Sequence, residues 1–195
     1  MQKMMQAEIW TVVQTREGSA VLLRLRSKDI AVPIFVGQLE IQSILIGKEG
    51  ISLSRPLTHD LMLDLLDSQS LVLERVEVHD LKDNTFHARL VITGGKHTLQ
   101  NPLVIDSRPS DAFGLAARRK CPILVSADVV KETGIPLDFF VDALNGKTPI
   151  SKGDIHPLED ERSRLMAQLN EAVAKEEYER AAEIRDILKR IEEDG

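Results

Sequence analysis

Residues 71–93 read LVLERVEVHDLKDNTFHARLVIT. Apolar and β-branched residues fill both halves, and Lys82-Asp83-Asn84 interrupts them. The stretch predicts two long strands, 71–80 and 85–93, joined by a tight turn. Upstream, residues 8–15 (EIWTVVQT), 19–26 (SAVLLRLR) and 30–36 (IAVPIFV) predict three shorter strands, with turns at Glu17-Gly18 and Lys28-Asp29. They fit an antiparallel meander. Downstream, a strand is expected over about 98–106 and a short buried one over 122–125.

Helices fall between these strands. Gly37 opens one, with Leu39, Ile41, Ile44, Leu45 and Ile46 as apolar positions and Gly47 and Gly50 ending it. Thr58 begins a second, THDLMLDLLDS. Ser110 caps a third, running to about Lys120, and Ser126 caps a short one ended by Gly134. Strands dominate early and helices intermix later. The reading is therefore α+β: a mixed, largely antiparallel sheet with packed helices, and not a regular βαβ alternation.

The domain expected over 1–144 is followed by a linker at 145–157 (NGKTPISKGDIHP), rich in Gly, Pro, Ser and Lys. Residues 158–195 then show two apolar stripes at helical spacing. Leu158, Leu165, Met166, Leu169, Ala172 and Val173 mark one. Tyr178, Ala181, Ala182, Leu188 and Ile191 mark the other. This predicts a C-terminal helical hairpin, near the lower size limit for independent folding.

Composition narrows the function classes. The 195 residues carry a net charge of −6, 43% hydrophobic residues and only 4% aromatics. Stacking platforms for single-stranded nucleic acid need aromatics that are scarce here. The charge is uneven: residues 157–195 hold twelve acidic and seven basic residues, leaving the rest near neutral at −1. Cys121 is the single cysteine, so an intramolecular disulfide and a Cys-rich metal site are excluded. The first residues, MQKMMQAEIW, lack the apolar core of a signal peptide. No apolar run reaches the ~18 residues of a membrane span. A cytoplasmic protein with no membrane partner is expected.

Two segments carry the chemistry. Residues 55–60 read Arg-Pro-Leu-Thr-His-Asp, and 106–112 read Asp-Ser-Arg-Pro-Ser-Asp-Ala. Each sets an arginine and a proline before a hydroxyl residue, Thr58 or Ser110, expected to be a helix N-cap. An aspartate in the first turn follows. Unpaired N–H groups at a helix start attract anions, and Arg55 and Arg108 add planar donors suited to phosphate. Asp60, Asp106 and Asp111 are candidate general bases or ligands for a divalent Mg²⁺ or Mn²⁺ ion. His59 titrates near neutrality and suits proton transfer. Aspartates in first turns also complement the helix dipole with no catalytic role, and the arginines could tie the Pro-containing loops down. His79, Asp80, Asp83 and His87 form a second candidate cluster at the hairpin turn, and Glu40 is a further acidic candidate.

Four stretches carry a family resemblance: VPIFVGQLE (32–40), RPLTHDL (55–61), VEVHDLKDNTFHARLVI (76–92) and VIDSRPSDAFGLAARRKCPILV (104–125). Over about 8–140 the chain resembles the bacterial and plant bifunctional nuclease family. That implies an α+β fold and cleavage of DNA and RNA. The chain departs from the family at Ala112-Phe113-Gly114-Leu115. Gly114 weakens a helix by ~1 kcal/mol relative to Ala and is not expected to alter the site. Residues 158–193 resemble the UvrB/UvrC motif, most closely at 177–186 (EYERAAEIRD), which implies protein contact without catalysis. Tyr178, Ala181, Ala182 and Arg185 are the expected contact residues for a helical-hairpin partner. The leading functional reading is a metal-assisted nuclease, assembled as a homo-oligomer and most simply a dimer. The alternative is a non-enzymatic anion-binding or adaptor module recruited through its tail.

Overall fold

The computed structural model describes residues 2–15, 18–94, 101–144 and Arg185. Two compact units divide the chain, Met1–Ile155 and His156–Gly195. The expected linker at 145–157 and the expected hairpin lie outside the described residues, as do Tyr178, Ala181 and Ala182. Arg185 is helical and exposed.

The first unit is built on one eight-stranded sheet, and the fold is α+β. Its strands are β1 (Met4–Thr15), β2 (Gly18–Leu25), β3 (Ile30–Val36), β4 (Leu71–Lys82), β5 (Thr85–Gly94), β6 (Leu103–Ser107), β7 (Ile123–Ser126) and β8 (Ile135–Pro136). In space they run β6-β5-β4-β7-β1-β2-β3-β8. The β1–β2–β3 meander and the β4–β5 hairpin are antiparallel as the sequence suggests. Asp83 and Asn84 both take left-handed φ, 48° and 57°, the conformation that Asn and Asp tolerate better than most residues. The parallel pair β4–β7 joins the two halves of the sheet. β7 reaches that place because a helix crosses over between β6 and β7. Pro33 is tolerated in β3 because β8 pairs only with Ile30 and Ala31, so the missing N–H falls on unpaired edge.

Five helices pack on this sheet: α1 (Gln38–Glu49), α2 (Thr58–Ser68), α3 (Pro109–Arg119), α4 (Ala127–Thr133) and α5 (Leu137–Leu144). The larger core holds Ile44 of α1, Leu63 of α2, Phe113 and Leu115 of α3, and Val129 of α4. They close over Val76, Val78, Ala88, Leu90 and Ile92 of the hairpin. Phe140 of α5 belongs to a smaller cluster with Val13, Leu22 and Ala31. Burial of this aliphatic surface is the main favourable term.

Three helix boundaries differ from expectation. Gly47 does not end α1; it lies buried inside it, and Gly50 alone forms the left-handed cap, φ 65°. Thr58 is not an N-cap but the first residue of α2, with Leu57 in the cap position. Asp60 explains this, because its carboxylate accepts the Leu57 N–H at 2.9 Å and so fixes the start one residue early. Ser110 is likewise not a cap. Arg108 is, and Pro109 takes the first helical position, where its fixed φ suits the helix and its missing N–H costs nothing. β6 runs one residue past the expected end, through Ser107, while residues 95–100 lie outside the described set. No helix among the described residues is long and apolar enough to cross a membrane.

Candidate functional site

The first turns of α2 and α3 come together on the face of the sheet that α1 to α4 cover. His59 Nε2 of α2 lies 3.9 Å from Asp111 Oδ1 of α3. Asp60 and Asp111 occupy the same position in their helices, the third residue after the cap. They are used differently. Asp111 receives a two-pronged contact from the Arg108 guanidinium, at 2.8 and 3.1 Å. Asp60 accepts the Leu57 N–H on one oxygen and Arg118 Nε, at 2.6 Å, on the other.

Arg118 is the centre of this junction. Its side chain is only 7% exposed. Besides Asp60, it donates to the backbone carbonyls of Ser43, at 2.9 Å, and Gly114, at 3.0 Å. One guanidinium thus ties α1, α2 and α3 together, a use for which a lysine ammonium lacks the fork geometry. Gly47 of α1 makes room: a Cβ there would stand 3.0 Å from Arg118 atoms and 3.2 Å from the Ala117 Cβ.

His59 is fixed from two sides. Its Nδ1 is 2.9 Å from Ser43 Oγ. Its ring lies against Gly114, where a Cβ would stand 2.5 Å from Nε2. Gly114 is therefore not incidental to the site, contrary to expectation; the helix gives up stability there to admit the imidazole. Burial pushes the His59 pKa below its ordinary 6.5, and the nearby Arg118 charge lowers it further. Asp111 and Asp60 pull the other way without prevailing. The neutral ring is thereby favoured at pH 7. Burial alone would raise the Asp60 carboxyl, but the Leu57 N–H and Arg118 outweigh it and hold it below its usual range.

The remaining expected residues divide. Arg108 is exposed and also lies 3.6 Å from Glu40. Arg55 is exposed, with no hydrogen bond or ion pair to another residue among the described ones. Thr58 is exposed and Ser110 buried. Asp106 does not join them. On β6 it stands opposite Arg89 of β5, which stands opposite Glu77 of β4. Their neighbours Ser107, Ala88 and Val78 occupy the alternate positions, and Ala88 and Val78 belong to the helix-side core. Side chains alternate along a strand, so Asp106 faces the other side of the sheet. There Glu77 is buried and accepts from Arg75 at 2.7 Å and Arg89 at 2.6 Å.

The three aspartates consequently do not fit a shared divalent ion. Asp60 and Asp111 are engaged by arginines, and Asp106 is across the sheet. Among the described residues no group of three or more His, Cys, Asp or Glu side chains is placed to hold a metal, the His79–His87 cluster included. Asp80 there pairs instead with Lys82, at 2.8 Å. A hollow of about 350 Å³ opens elsewhere, between β1, β7 and the C-terminal ends of α1 and α3. None of the expected site residues lines it.

Ser43, Gly114 and Arg118 were not among the expected site residues. Their signal is helical spacing. Asp111, Gly114 and Arg118 stand at i, i+3 and i+7 of α3, and Glu40, Ser43 and Gly47 repeat that spacing in α1. The two small or polar stripes face each other.

Two helix starts, the exposed Arg108 guanidinium and the His59 imidazole are thus gathered on an α+β scaffold. Over residues 21–138 the chain matches the Bifunctional nuclease domain, and it belongs to that family. Residues 159–194 match the UvrB/uvrC motif. The chain is similar to Bifunctional nuclease 2 of Arabidopsis thaliana, 28% identical over 187 residues, 87% of this chain and 54% of the relative. It is similar to Bifunctional nuclease 2 of Oryza sativa subsp. japonica at 27% over 182 residues, 87% of this chain and 55% of the relative. The Mycobacterium tuberculosis protein MT1877, described as uncharacterized, is 33% identical over 124 residues, 64% of this chain and 71% of its own length. The chain thus spans about half the length of its plant relatives.

Proposed function

We propose that this chain hydrolyses phosphodiester bonds of DNA and RNA at the junction of α1, α2 and α3. The observation that carries the reading is His59: an imidazole fixed by Ser43 and Gly114, with Nε2 directed toward Asp111, the exposed Arg108 close enough to act on its charge, and the exposed Arg55 four residues before it in sequence. A neutral imidazole can take or give a proton near pH 7. Arg108 and Arg55 would hold the scissile phosphate and offset the charge that builds on it. Asp111 orients Arg108 and faces His59. Asp60 and Arg118 are positioning residues, since both are spent on tying the helices together. The names of the plant relatives support a nuclease, and nothing in this assignment routes a step through a metal ion. The tail would recruit a helical-hairpin partner, as its UvrB/uvrC match suggests.

The test is cleavage of labelled single-stranded RNA, single-stranded DNA and duplex DNA by purified protein, with Mg²⁺, with Mn²⁺ and with chelator. Loss of the proton carrier in His59→Gln should slow cleavage by about 10²–10⁴-fold. Asp106→Asn, on the far face, should leave the rate within a few-fold of wild type. Equal rates for His59→Gln and wild type would remove His59 from the chemistry. Rates that collapse in Asp106→Asn and with chelator would move the site to the other side of the sheet.

A further inference from the structure

The two ends of the sheet are finished differently. At one end β8 is two residues long and contains Pro136, so little of it can template another strand. At the other end is β6. Leu103, Val104 and Ile105 are consecutive, apolar, and 42, 52 and 41% exposed. No strand among the described residues pairs with the outer edge of β6. The strand carries no lysine, proline or bulge to blunt it. Natural sheets rarely leave such an edge open to water.

We propose that β6 pairs with β6 of a second copy of this chain, antiparallel across a two-fold axis at Val104. The strand is complementary to itself. Leu103 and Ile105 stand opposite Ile92 and Leu90, on the helix side, while Val104 and Asp106 stand opposite Val91 and Arg89, on the other. A two-fold axis normal to the sheet keeps the faces matched only when residues of the same parity meet. An axis at Asp106 would set two carboxylates against each other, which destabilises a cross-strand pair. One at Ile105 would set each Asp106 against an apolar Val104. An axis at Val104 sets Leu103 against Ile105 on both sides and Val104 against its own copy, and it places Asp106 opposite Pro102, just outside β6 and off the apolar contact. The two sheets then become one.

The pairing has a consequence for the helix junction. In this register Asn101 of the partner subunit stands opposite Ser107, one residue before Arg108. The second copy therefore supplies backbone beside the start of α3. The inference does not depend on nuclease activity, and its primary readout is a covalent one.

Opposed residues across an antiparallel pair have Cα atoms about 5 Å apart, within the reach of a disulfide. In a Cys121→Ser background, Val104→Cys under mild oxidation should convert most of the chain to a two-chain species. Leu103→Cys should not, because its copy lies diagonally across, about 7–8 Å away, whereas the double variant Leu103→Cys/Ile105→Cys should. Light scattering of the unmodified chain at tens of micromolar should give the mass of two chains. A single-chain mass overturns the proposal. So does a two-chain mass in which Val104→Cys cross-links no better than Leu103→Cys, the result expected if the tail or another surface holds the dimer. Val104 is half exposed, so its replacement by cysteine leaves the core intact, and circular dichroism checks that the variants remain folded.

Discussion

Gly114 and His59 show how one absent methyl group shapes the candidate site. In an exposed helix, alanine would be favoured over glycine by ~1 kcal/mol. Here the Cβ would meet the imidazole at 2.5 Å, and Ser43 restrains the ring from moving away. Gly114→Ala should therefore destabilise the chain by about 1–3 kcal/mol in chemical denaturation, the usual cost of overpacking, and lower any cleavage rate. The same change made in a His59→Ala background should be neutral or stabilising, because the clash is gone and the helix preference remains. A stabilising Gly114→Ala in the wild-type background would show that the ring yields freely.

The histidine also sets a pH dependence. Its pKa in the fold lies below the ordinary 6.5, first because it is buried. Well above pH 6.5 both folded and unfolded chains carry it neutral. As pH falls below 6.5 the unfolded chain takes the proton first, so stability drops until the folded pKa is passed. His79 is shifted the same way and contributes over the same window. Urea midpoints of wild type and His59→Gln measured from pH 7.5 to 5 should differ in slope, with the wild type falling more steeply. Parallel curves would mean that His59 is not held neutral by its surroundings.

At the scale of elements, α1 and α3 run side by side in the same direction. Glu40 approaches Arg108 at their starts, and Gly47 approaches Ala117 and Arg118 toward their ends. Arg118 then binds α2 to both. Arg118→Ala leaves Asp60 without its cation and removes the side-chain donor from two helical carbonyls, so a loss on the order of 2–3 kcal/mol is expected in thermal or denaturant unfolding. Arg118→Lys should restore little of it, because an ammonium cannot reach all three acceptors. Full rescue by lysine would reduce the role to charge alone. Much of this arrangement was legible. Apolar and β-branched runs give β2 to β5 and the later two thirds of β1, and Gly50 and Gly134 give helix ends. The matching segments mark Asp60 and Asp111 as twins. The misplaced caps follow from reading Thr58 and Ser110 by residue type, when the aspartate three places after the cap and the proline in the first turn decide the boundary. A strand end beside a loop is a usual functional place, which groups Asp106 with the other carboxylates. Only the register against Arg89 and Glu77 reveals which face it takes, and register is a long-range property that spacing within β6 does not contain.

At the scale of the whole molecule, the chain combines a near-neutral sheet unit with an acidic tail. The twelve acidic and seven basic residues of 157–195 would repel a nucleic-acid backbone, whereas the exposed arginines of 55 and 108 belong to the first unit. The phosphate binding and the partner binding proposed above thus fall on different parts of the sequence. The five helices and eight strands of the first unit lie before residue 145, and their apolar side chains form clusters of their own. A chain ending after Ile155 should accordingly keep the circular dichroism and unfolding midpoint of the sheet unit, and any cleavage of RNA or DNA with it. Capture of a protein bearing a UvrB/UvrC-type hairpin should be lost. The comparison is a pull-down and a cleavage assay on the same two preparations. If the truncated chain still captures the partner but no longer cuts nucleic acid, the roles are reversed: the tail would then complete the nucleic-acid site, and the sheet unit would be the part that proteins recognise.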